Sequence, residues 1–330
     1  MISVDNLKIS VACCTYNGEQ YIAAQLESMQ AQTRSPDEVI VCDDGSTDNT
    51  VAIVEAFAKQ APFAVKVFRN ESKPLGSSKN FEKAITLCSH EIIALADQDD
   101  VWMPTKLEKL LAAFGDGVGL VFSNALVVDE QLDSKGFTLF DSLAVRKAEC
   151  DLMRSGKSAE VLLRRNLVTG AGMAFLSKFK PLVLPVSDNW VHDGWIALLI
   201  STQAAVAMLE EPLFLYRQHS KNQIGARKFS IAGAMQFVRR VGSGYYLLQL
   251  QGYRDAYSRM QEAMPEFPDS QLASLFRAHI AHLDVRSKIA DKHCSTILQL
   301  FLELLKGRYH RYSRGFITFA RDMVLLFSRD

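Results

Sequence analysis

Short apolar runs alternate with amphipathic segments through the first hundred residues, and this alternation constrains the fold more than any other feature. Residues 9–14, 39–42, 63–68 and 92–96 have the length and composition of buried strands. The segments between them carry apolar side chains at helical spacing, as in residues 51–57. Repeated βα units predict the α/β class, with a mostly parallel sheet flanked by helices.

The pattern changes towards the carboxyl end. After about residue 225 it is helical almost to the last residue, without an internal repeat. A chain of 330 residues exceeds one ordinary domain. We therefore predict a sheet domain over residues 1–225 and a C-terminal helical extension over residues 226–330.

Composition excludes several classes of protein. Lys plus Arg and Asp plus Glu both total 37, so the charge does not indicate a nucleic-acid-binding protein. No GxGxxG follows the first strand, which argues against a dinucleotide-dependent oxidoreductase. The six cysteines form no CxxC pair and mostly lie in apolar runs, so we expect buried, reduced thiols and a cytoplasmic protein. No segment approaches the ~18 apolar residues that span a bilayer.

Three polar loops directly follow predicted strands, at residues 15–19, 43–48 and 97–100. Because ligands of open α/β sheets bind beyond the carboxyl ends of the strands, we expect these loops to form one site. The last loop contains Asp97, Asp99 and Asp100, whose carboxylates repel one another unless a cation or a proton intervenes. Oxygen ligands of this kind suit Mg²⁺ or Mn²⁺. The alternative, an acidic turn capping the next helix, accounts for one aspartate but not for three.

Six motifs occur in the order typical of the inverting GT-A-fold glycosyltransferases of family 2, and the chain resembles in particular the bacterial rhamnosyltransferase-like branch. They are Val11 to Gly18, Asp43 to Asp48, Ala96 to Trp102, Thr169 to Gly172, His192 to Trp195 and Tyr216 to His219. The resemblance covers about the first 225 residues and implies that these form the catalytic domain.

The resemblance implies transfer of a sugar from a nucleotide donor to a saccharide or lipid-linked acceptor in bacterial surface polysaccharide synthesis. It favours dTDP-rhamnose as donor. UDP-sugars stay open, because thymine and uracil present the same imide edge and differ by one methyl group.

The resemblance also implies roles for individual residues. Thr15 and Asn17 would line the base pocket, where Asp44, together with Asp43, would accept the imide N–H. Lys79 would be a further nucleotide contact, and Asp97 would face the ribose or the donor sugar. The structural alternative is that Asp43 and its neighbour Asp48 cap the following helix.

By the same resemblance, Asp99 would hold the metal and His219 would complete the phosphate or metal environment. Asp193 would be the general base, because an inverting displacement needs a carboxylate to take the acceptor proton. The acceptor or donor pocket would include Gly170, Trp190, His192 and Trp195. The alternatives are a structural histidine at 219 and a helix-capping aspartate at 193.

The last helical segment, residues 306–329, carries six cations against one acid, interleaved with aromatic residues. Such a segment can lie on a membrane surface, which here would be the inner face of the cell membrane. It can equally pack on its own domain or on a second subunit of a homo-oligomer.

Two other functions compete with glycosyl transfer. Residues 97–101 also satisfy the DxDxV pattern of haloacid-dehalogenase phosphatases, in which Asp97 would be a phosphoryl nucleophile. The order of the acidic motifs argues against that family. A noncatalytic protein that binds a nucleotide or glycan is the second alternative, and the presence of both Asp99 and Asp193 argues against it.

Overall fold

The computed structural model describes residues 6–220, 222, 244–291 and 293–327. The predicted domain boundary at residue 225 lies outside these ranges and stays a prediction. The described residues form one mixed sheet packed between helices, followed by a helical region.

The first half of the sheet follows the predicted βα pattern. Its elements are β1 (Ile9–Thr15), α1 (Ile22–Gln30), β2 (Glu38–Asp43), α2 (Thr50–Ala58), β3 (Ala64–Arg69), α3 (Ser77–Leu87) and β4 (Ile92–Asp97). The four strands are parallel, in the order β3-β2-β1-β4. Every residue of β1 and β2 is buried, which explains why both read as continuous apolar runs. In register, Cys14 of β1 lies beside Asp97 of β4, so the strand ends are level.

The second half of the sheet is mixed. Its elements are β5 (Val101–Trp102), α4 (Lys106–Ala112), β6 (Val118–Val128), β7 (Ser134–Thr138), α5 (Leu139–Ser142), α6 (Lys147–Arg154), α7 (Ser158–Arg164), β8 (Met173–Leu176), α8 (Lys180–Val183), α9 (His192–Ser201) and β9 (Ala205–Arg217). The sheet continues from β4 as β8-β6-β9-β5. Strand β8 is antiparallel to β4 and β6, whereas β6 and β9 are parallel. The parallel expectation therefore applies to β1–β4, and the whole sheet is mixed.

Two details differ from the sequence prediction. The apolar runs at residues 118–122 and 125–128 predict two strands, but they form the single strand β6, whose register against β9 shifts between Ser123 and Asn124. The Asn124 side chain stabilises the irregularity by accepting from the N–H groups of Ala125 and Phe140. The polar sequence of residues 129–157 predicts a long connection, but it contains β7, α5 and α6, because α6 buries Cys150 and Met153 beneath a polar outer surface.

The C-terminal region consists of α10 (Gly244–Ala263), α11 (Gln271–Ser287), α12 (Cys294–Leu305), α13 (Arg308–Tyr312) and α14 (Phe316–Phe327). It packs on the sheet domain: Tyr253 donates a hydrogen bond to the Leu163 carbonyl at 2.8 Å and lies 4.5 Å from the Trp190 ring. None of the helices in the described ranges is both long and apolar enough to cross a membrane. Of the aromatic residues expected at a surface, Tyr309 and Tyr312 are buried.

The cysteines agree with the expectation of reduced thiols. The five whose side chains the structure describes are buried and free: Cys13, Cys14, Cys42, Cys88 and Cys150.

Candidate active site

The three polar loops meet at the carboxyl ends of β1, β2 and β4, as predicted. Thr15 donates to Asp43 Oδ2 at 2.8 Å, and Asn17 Oδ1 accepts from the Thr47 N–H at 2.9 Å. The Gln98 amide accepts from the Tyr16 N–H and donates to the Tyr16 carbonyl, at 2.8 and 3.1 Å. Direct hydrogen bonds therefore join the loops into one rim.

The glycine at position 18 leaves room for the Gln98 side chain. A Cβ placed there would lie 2.2 Å from Gln98 Oε1, well inside van der Waals contact. A larger residue would therefore displace the Gln98 amide from its hydrogen bonds with the Tyr16 main chain.

Both carboxylates proposed for the base pocket also organise the loops. Asp43 accepts from the N–H of Ser46 at 2.8 Å in addition to the Thr15 hydroxyl. Asp44, 4% exposed, accepts from the N–H groups of Leu75 and Gly76 at 2.7 and 2.8 Å. A carboxylate offers about four acceptor positions, so Asp44 retains capacity for a further donor.

The structure separates Lys79 from this group. Its ammonium forms ion pairs with Glu82 and Asp188 at 3.1 and 3.0 Å and donates to the Val186 carbonyl. No hydrogen bond within the described ranges joins Lys79 to the rim loops. Asp48 lies just before α2 and its carboxylate accepts from the Thr50 N–H at 3.0 Å, but the N-cap position of α2 belongs to Asn49, which makes no side-chain capping hydrogen bond.

The acidic loop after β4 holds more negative charge than its surroundings balance. Burial raises the pKa of Asp97, and the nearby carboxylates Asp99 and Asp193 raise it further. Burial also raises the pKa of Asp100, which is 1% exposed. Asp100 Oδ1 accepts from the Arg217 N–H at 3.2 Å, but no group among the described residues donates to its buried Oδ2. An additional positive charge would stabilise this loop.

Asp99 and His219 provide two donors for a divalent cation. Asp99 Oδ2 lies 2.8 Å from His219 Nε2 and 3.3 Å from Asn222 Nδ2. Adjacent ligands of an octahedral ion are about 3 Å apart, so a carboxylate and an imidazole at this separation fit one cation. The described residues contain no cluster of three His, Cys, Asp or Glu side chains able to hold a metal. The Asp99 carboxylate suits Mg²⁺ or Mn²⁺, because these ions prefer oxygen ligands, bind through one or two carboxylates and leave positions for phosphates.

Lys106 is part of the site but was not recognised from sequence. Its side chain is fully buried, with Nζ 4.0 Å from the Trp102 ring and hydrogen-bonded to the Ala171 carbonyl. Burial lowers the pKa of Lys106, whereas Asp100 and Asp97 raise it, so the lysine partly balances the acidic loop. The signal was its position on α4, four residues before Leu110 and therefore on the apolar face.

Arg217 lies in the motif from Tyr216 to His219, and the sequence assigned it no role. Its guanidinium donates to the main-chain carbonyls of Asp99 and Glu130 at 2.8 and 2.7 Å. The guanidinium carbon lies 4.9 Å from the centre of the Tyr21 ring, which also stacks on His219 at 4.5 Å. Arg217 therefore positions the main chain that carries Asp99.

Asp193 lies in the first turn of α9. Burial raises its pKa to about 6, against the hydrogen bonds from the N–H groups of Gly194 and Gly170 and from the Asn166 amide. Asn166 Nδ2 donates to Asp193 Oδ1 at 3.0 Å. The negative charge of Asp193 is a cause of the raised pKa of Asp97, after burial and Asp99.

The glycines near Asp193 allow close packing. A Cβ on Gly170 would lie 2.8 Å from His192 Nε2. His192 stacks on Phe81 with ring centres 4.1 Å apart, and burial lowers its pKa to about 3. His192 is therefore a neutral imidazole, and its two ring nitrogens are buried without a partner among the described residues. The structure thus brings Gly170, His192 and Asp193 together.

The two tryptophans differ. Trp190 is partly exposed, whereas Trp195 is 2% exposed and donates to the Val183 carbonyl at 2.8 Å. Trp195 belongs to the core and offers no surface to a sugar, which corrects the expectation that it lines the pocket. The reason is helical geometry. Trp195 follows Asp193 by two residues on α9, and residues two apart on a helix point to nearly opposite sides.

A cavity of about 680 Å³ lies elsewhere, between α10, α11 and α12. Two of its cations, Arg254 and Arg308, form ion pairs with Asp284 and Glu303. Its lining carries four cations, Arg254, Arg277, Lys306 and Arg308, against the two acids Asp284 and Glu303. None of the six sequence motifs contributes to it, so we assign the active site to the strand ends, where the motifs meet and the acids exceed the cations.

The comparisons with known proteins agree with this geometry. The Glycosyl transferase family 2 profile matches residues 10–179, more than half of the chain. The chain belongs to this family and is a glycosyltransferase.

Relatives and solved structures are similar over most of the chain. An uncharacterized glycosyltransferase of Nostoc sp. is 28% identical over 66% of each chain. The dTDP-rhamnosyl transferase RfbG of Shigella flexneri is 27% identical over 84% of this chain and 95% of its own. The mannosyltransferase PcManGT of Pyrobaculum calidifontis, solved with GDP-Man and Mn²⁺, superimposes with a TM-score of 0.50 at 16% identity. That superposition covers 97% of this chain and 86% of the other. It shows that the fold is of the GT-A kind.

Proposed function

We propose that this protein is an inverting, metal-dependent glycosyltransferase that transfers a sugar from a dTDP- or UDP-linked donor to a saccharide or lipid-linked saccharide. Rhamnose is the favoured sugar, supported by the similarity to a dTDP-rhamnosyl transferase over most of the chain. The reaction would serve bacterial surface polysaccharide synthesis. The free thiols of the described cysteines support a cytoplasmic location.

The donor nucleotide would bind at the rim formed by the β1 and β2 loops. Thr15 and Asn17 would line the base pocket, and Asp44, held by main-chain N–H groups, would accept the imide N–H. Asp43 would support this pocket indirectly through Thr15, to which it is hydrogen-bonded. Lys79 would need to leave its ion pairs with Glu82 and Asp188 to reach a phosphate.

Asp99 and His219 would hold Mg²⁺ or Mn²⁺, and Asp97 would face the ribose or the donor sugar. A divalent cation supplies Lewis-acid stabilisation of the departing diphosphate. The chain's own contribution is to orient Asp99, through Arg217 and the His219 ring. The excess of acid in this loop supports the assignment, because the cation would reduce its repulsion.

Asp193 would be the general base, and its environment is the observation that carries the proposal. A single in-line displacement needs a base on the acceptor side, where it takes the proton of the attacking hydroxyl. The raised pKa makes Asp193 a better proton acceptor than an exposed aspartate while leaving it ionised at neutral pH. Gly170, Trp190 and His192 would shape the acceptor side.

Thermal-shift measurements with dTDP, UDP, GDP and CDP, each with and without Mn²⁺, test the donor site. A ligand that binds only the folded protein raises its melting temperature. We expect a metal-dependent shift with dTDP or UDP in the wild type that Asp99→Ala abolishes. Asp151→Ala, a change on the exposed side of α6, is the matched control and should respond as the wild type does.

The outcomes separate the competing functions. Absence of a shift with all four nucleotides would contradict the donor site. A shift without any sugar transfer, unchanged in Asp193→Asn, would indicate a noncatalytic binding protein. Release of phosphate from phosphomonoesters without use of nucleotide sugars would indicate the phosphatase.

A further inference from the structure

Two C-terminal helices expose apolar side chains where a water-facing helix normally carries polar ones. On α12 the exposed side chains include Leu298 and Leu302, and Leu305 is 82% exposed. On α14, Phe316 and Phe327 are 66% and 67% exposed. Leu298, Leu302 and Leu305 are spaced by four and three residues, and Phe316 and Phe327 are eleven residues apart, which is about three helical turns. Each set therefore lies along one side of its helix.

The charged residues of the same helices point inward. Glu303 of α12 is 3% exposed and lies 3.0 Å from His282 and 2.8 Å from Arg308. Asp322 of α14 is fully buried and forms an ion pair with Arg286 at 2.7 Å. Both helices therefore direct acids into the protein and apolar side chains towards solvent, the reverse of the usual pattern.

The two exposed stripes form one surface. Phe301 of α12 packs against Phe319 of α14 with ring centres 5.1 Å apart, which holds the helices side by side. We call this surface the C-terminal apolar face. Its main members are Leu298, Leu302, Leu305, Phe316, Val324 and Phe327.

The exposed charge next to this face is positive. The segment that joins α12 to α14, residues 306–315, contains no acid. Its side chains Lys306, Arg311 and Arg314 are exposed, whereas the acids on either side, Glu303 and Asp322, are buried in ion pairs. An apolar face beside exposed cations is complementary to a partner that has an apolar interior beneath a negatively charged outer layer.

We propose that the C-terminal apolar face docks on an anionic lipid surface, with α12 and α14 lying in the plane of the interface. The leucine and phenylalanine side chains enter the boundary between headgroups and acyl chains, and Lys306 and Arg311 contact the anionic headgroups. Helices of 12 residues are about 18 Å long, too short to span a bilayer, which favours the in-plane orientation.

Charge favours a lipid over a second copy of this chain as the occupant. A two-fold dimer through this face would bring the cations of both copies into one interface, where residues 306–315 offer no acid to pair with them. That like-charge contact is unfavourable, whereas phosphate headgroups would neutralise it. The inference does not depend on the proposed glycosyl transfer, because it concerns a surface formed by α12 and α14 alone.

Vesicle cosedimentation of the full chain tests the proposal without any substrate. The probes are vesicles of phosphatidylcholine alone and of phosphatidylcholine with phosphatidylglycerol. We expect binding to the anionic vesicles, and we expect Leu305→Gln with Phe316→Gln to weaken it at least about tenfold. Leu248→Gln, a change at an exposed leucine of α10, is the matched control and should bind as the wild type does.

The charge contribution is tested separately. Lys306→Gln with Arg311→Gln should weaken binding to anionic vesicles by on the order of tenfold. Raised salt should weaken wild-type binding in the same direction.

Two results would overturn the proposal. One is equal sedimentation of the wild type and the Leu305→Gln, Phe316→Gln variant with anionic vesicles. The other is a wild-type dimer that this variant converts to a monomer, together with no vesicle binding, which would assign the face to a second copy. Far-ultraviolet circular dichroism of each variant establishes that it is folded.

Discussion

The sheet rim and the C-terminal helices both bury aspartates, but they balance the buried charge differently. Asp322 between the C-terminal helices accepts from Arg286 and from the hydroxyls of Tyr246 and Tyr309. Burial, the largest single cause, raises its pKa, but Arg286, Arg321 and the Tyr246 hydroxyl together outweigh burial and the pKa of Asp322 is lowered. At the rim, the pKa of the equally buried Asp100 is raised.

The difference separates a structural cluster from a ligand site. A buried carboxylate with a full set of donors stabilises the fold and needs nothing from outside. Where buried carboxylates outnumber the groups that donate to them, the stability of the rest of the fold holds them in place. A cation or substrate can then supply the missing positive charge or donors. At the rim, Lys106 and the Arg217 guanidinium provide two cations for the three carboxyl groups of Asp97, Asp99 and Asp100.

The largest expected effect is on activity at the rim. Asp193→Asn should lower kcat by roughly 10²- to 10⁴-fold, because the amide cannot take the acceptor proton. Nucleotide binding, followed by thermal shift, should persist. Asp151→Asn, on the exposed side of α6, should keep wild-type kcat. Full transfer activity in Asp193→Asn would show that another group is the base.

The next effect is on stability between the C-terminal helices. Asp322→Asn should lower the free energy of unfolding by about 3–5 kcal/mol, because it leaves the buried Arg286 without its counter-charge. Urea denaturation measures this change, again with Asp151→Asn as control. A loss below about 1 kcal/mol would mean that this cluster is not balanced in the way its geometry indicates.

The pH dependence of the rim follows from the pKa of Asp193. Since the base works only when ionised, kcat should fall about tenfold between neutral pH and pH 5 and level off above the pKa of about 6. A pKa raised in the folded state stabilises the fold at low pH, and this contribution is lost as pH rises through about 6. Asp193→Asn should therefore gain stability relative to the wild type at pH 8 but not at pH 4. A flat kcat profile from pH 5 to 7 would contradict the assignment.

The smallest expected effect sharpens the contrast with Asp322. Asp100→Asn should change the free energy of unfolding by less than about 1 kcal/mol, because the amide removes a charge that burial and the neighbouring carboxylates Asp99 and Asp97 disfavour. Its oxygen can keep the hydrogen bond from the Arg217 N–H. A loss of 3 kcal/mol or more, about that expected for Asp322→Asn, would remove the distinction between the two regions.

The predictable part of the fold is the part governed by local pattern. The first four strands and three helices lie within a few residues of their expected positions, because apolar runs and helical spacing act over short distances. The joining of residues 118–128 into one strand was not predictable in this way. It depends on pairing with β9, about ninety residues further along the chain, and on the side chain of Asn124.

The site, like the fold, has one part that the local sequence predicts and another part that it does not. The order of the motifs was enough to identify the family and to predict that Thr15, Asn17 and Asp43 lie on one rim. It did not show that Trp195 faces the core, that Lys79 is held in ion pairs, or that Lys106 lies beneath the acidic loop. Those facts depend on which side of a helix meets the sheet and on how much charge surrounds a buried group.

By itself, the sequence determined the βα order, the loops that carry the acids and the membership of a glycosyltransferase family. These properties follow from the spacing of residue types along the chain. Only the tertiary structure decided which buried charges are balanced and which apolar side chains on α12 and α14 face outward. The physical reason is that burial and electrostatic balance depend on groups distant in sequence, such as Arg286 and Asp322, that come together only when the chain folds.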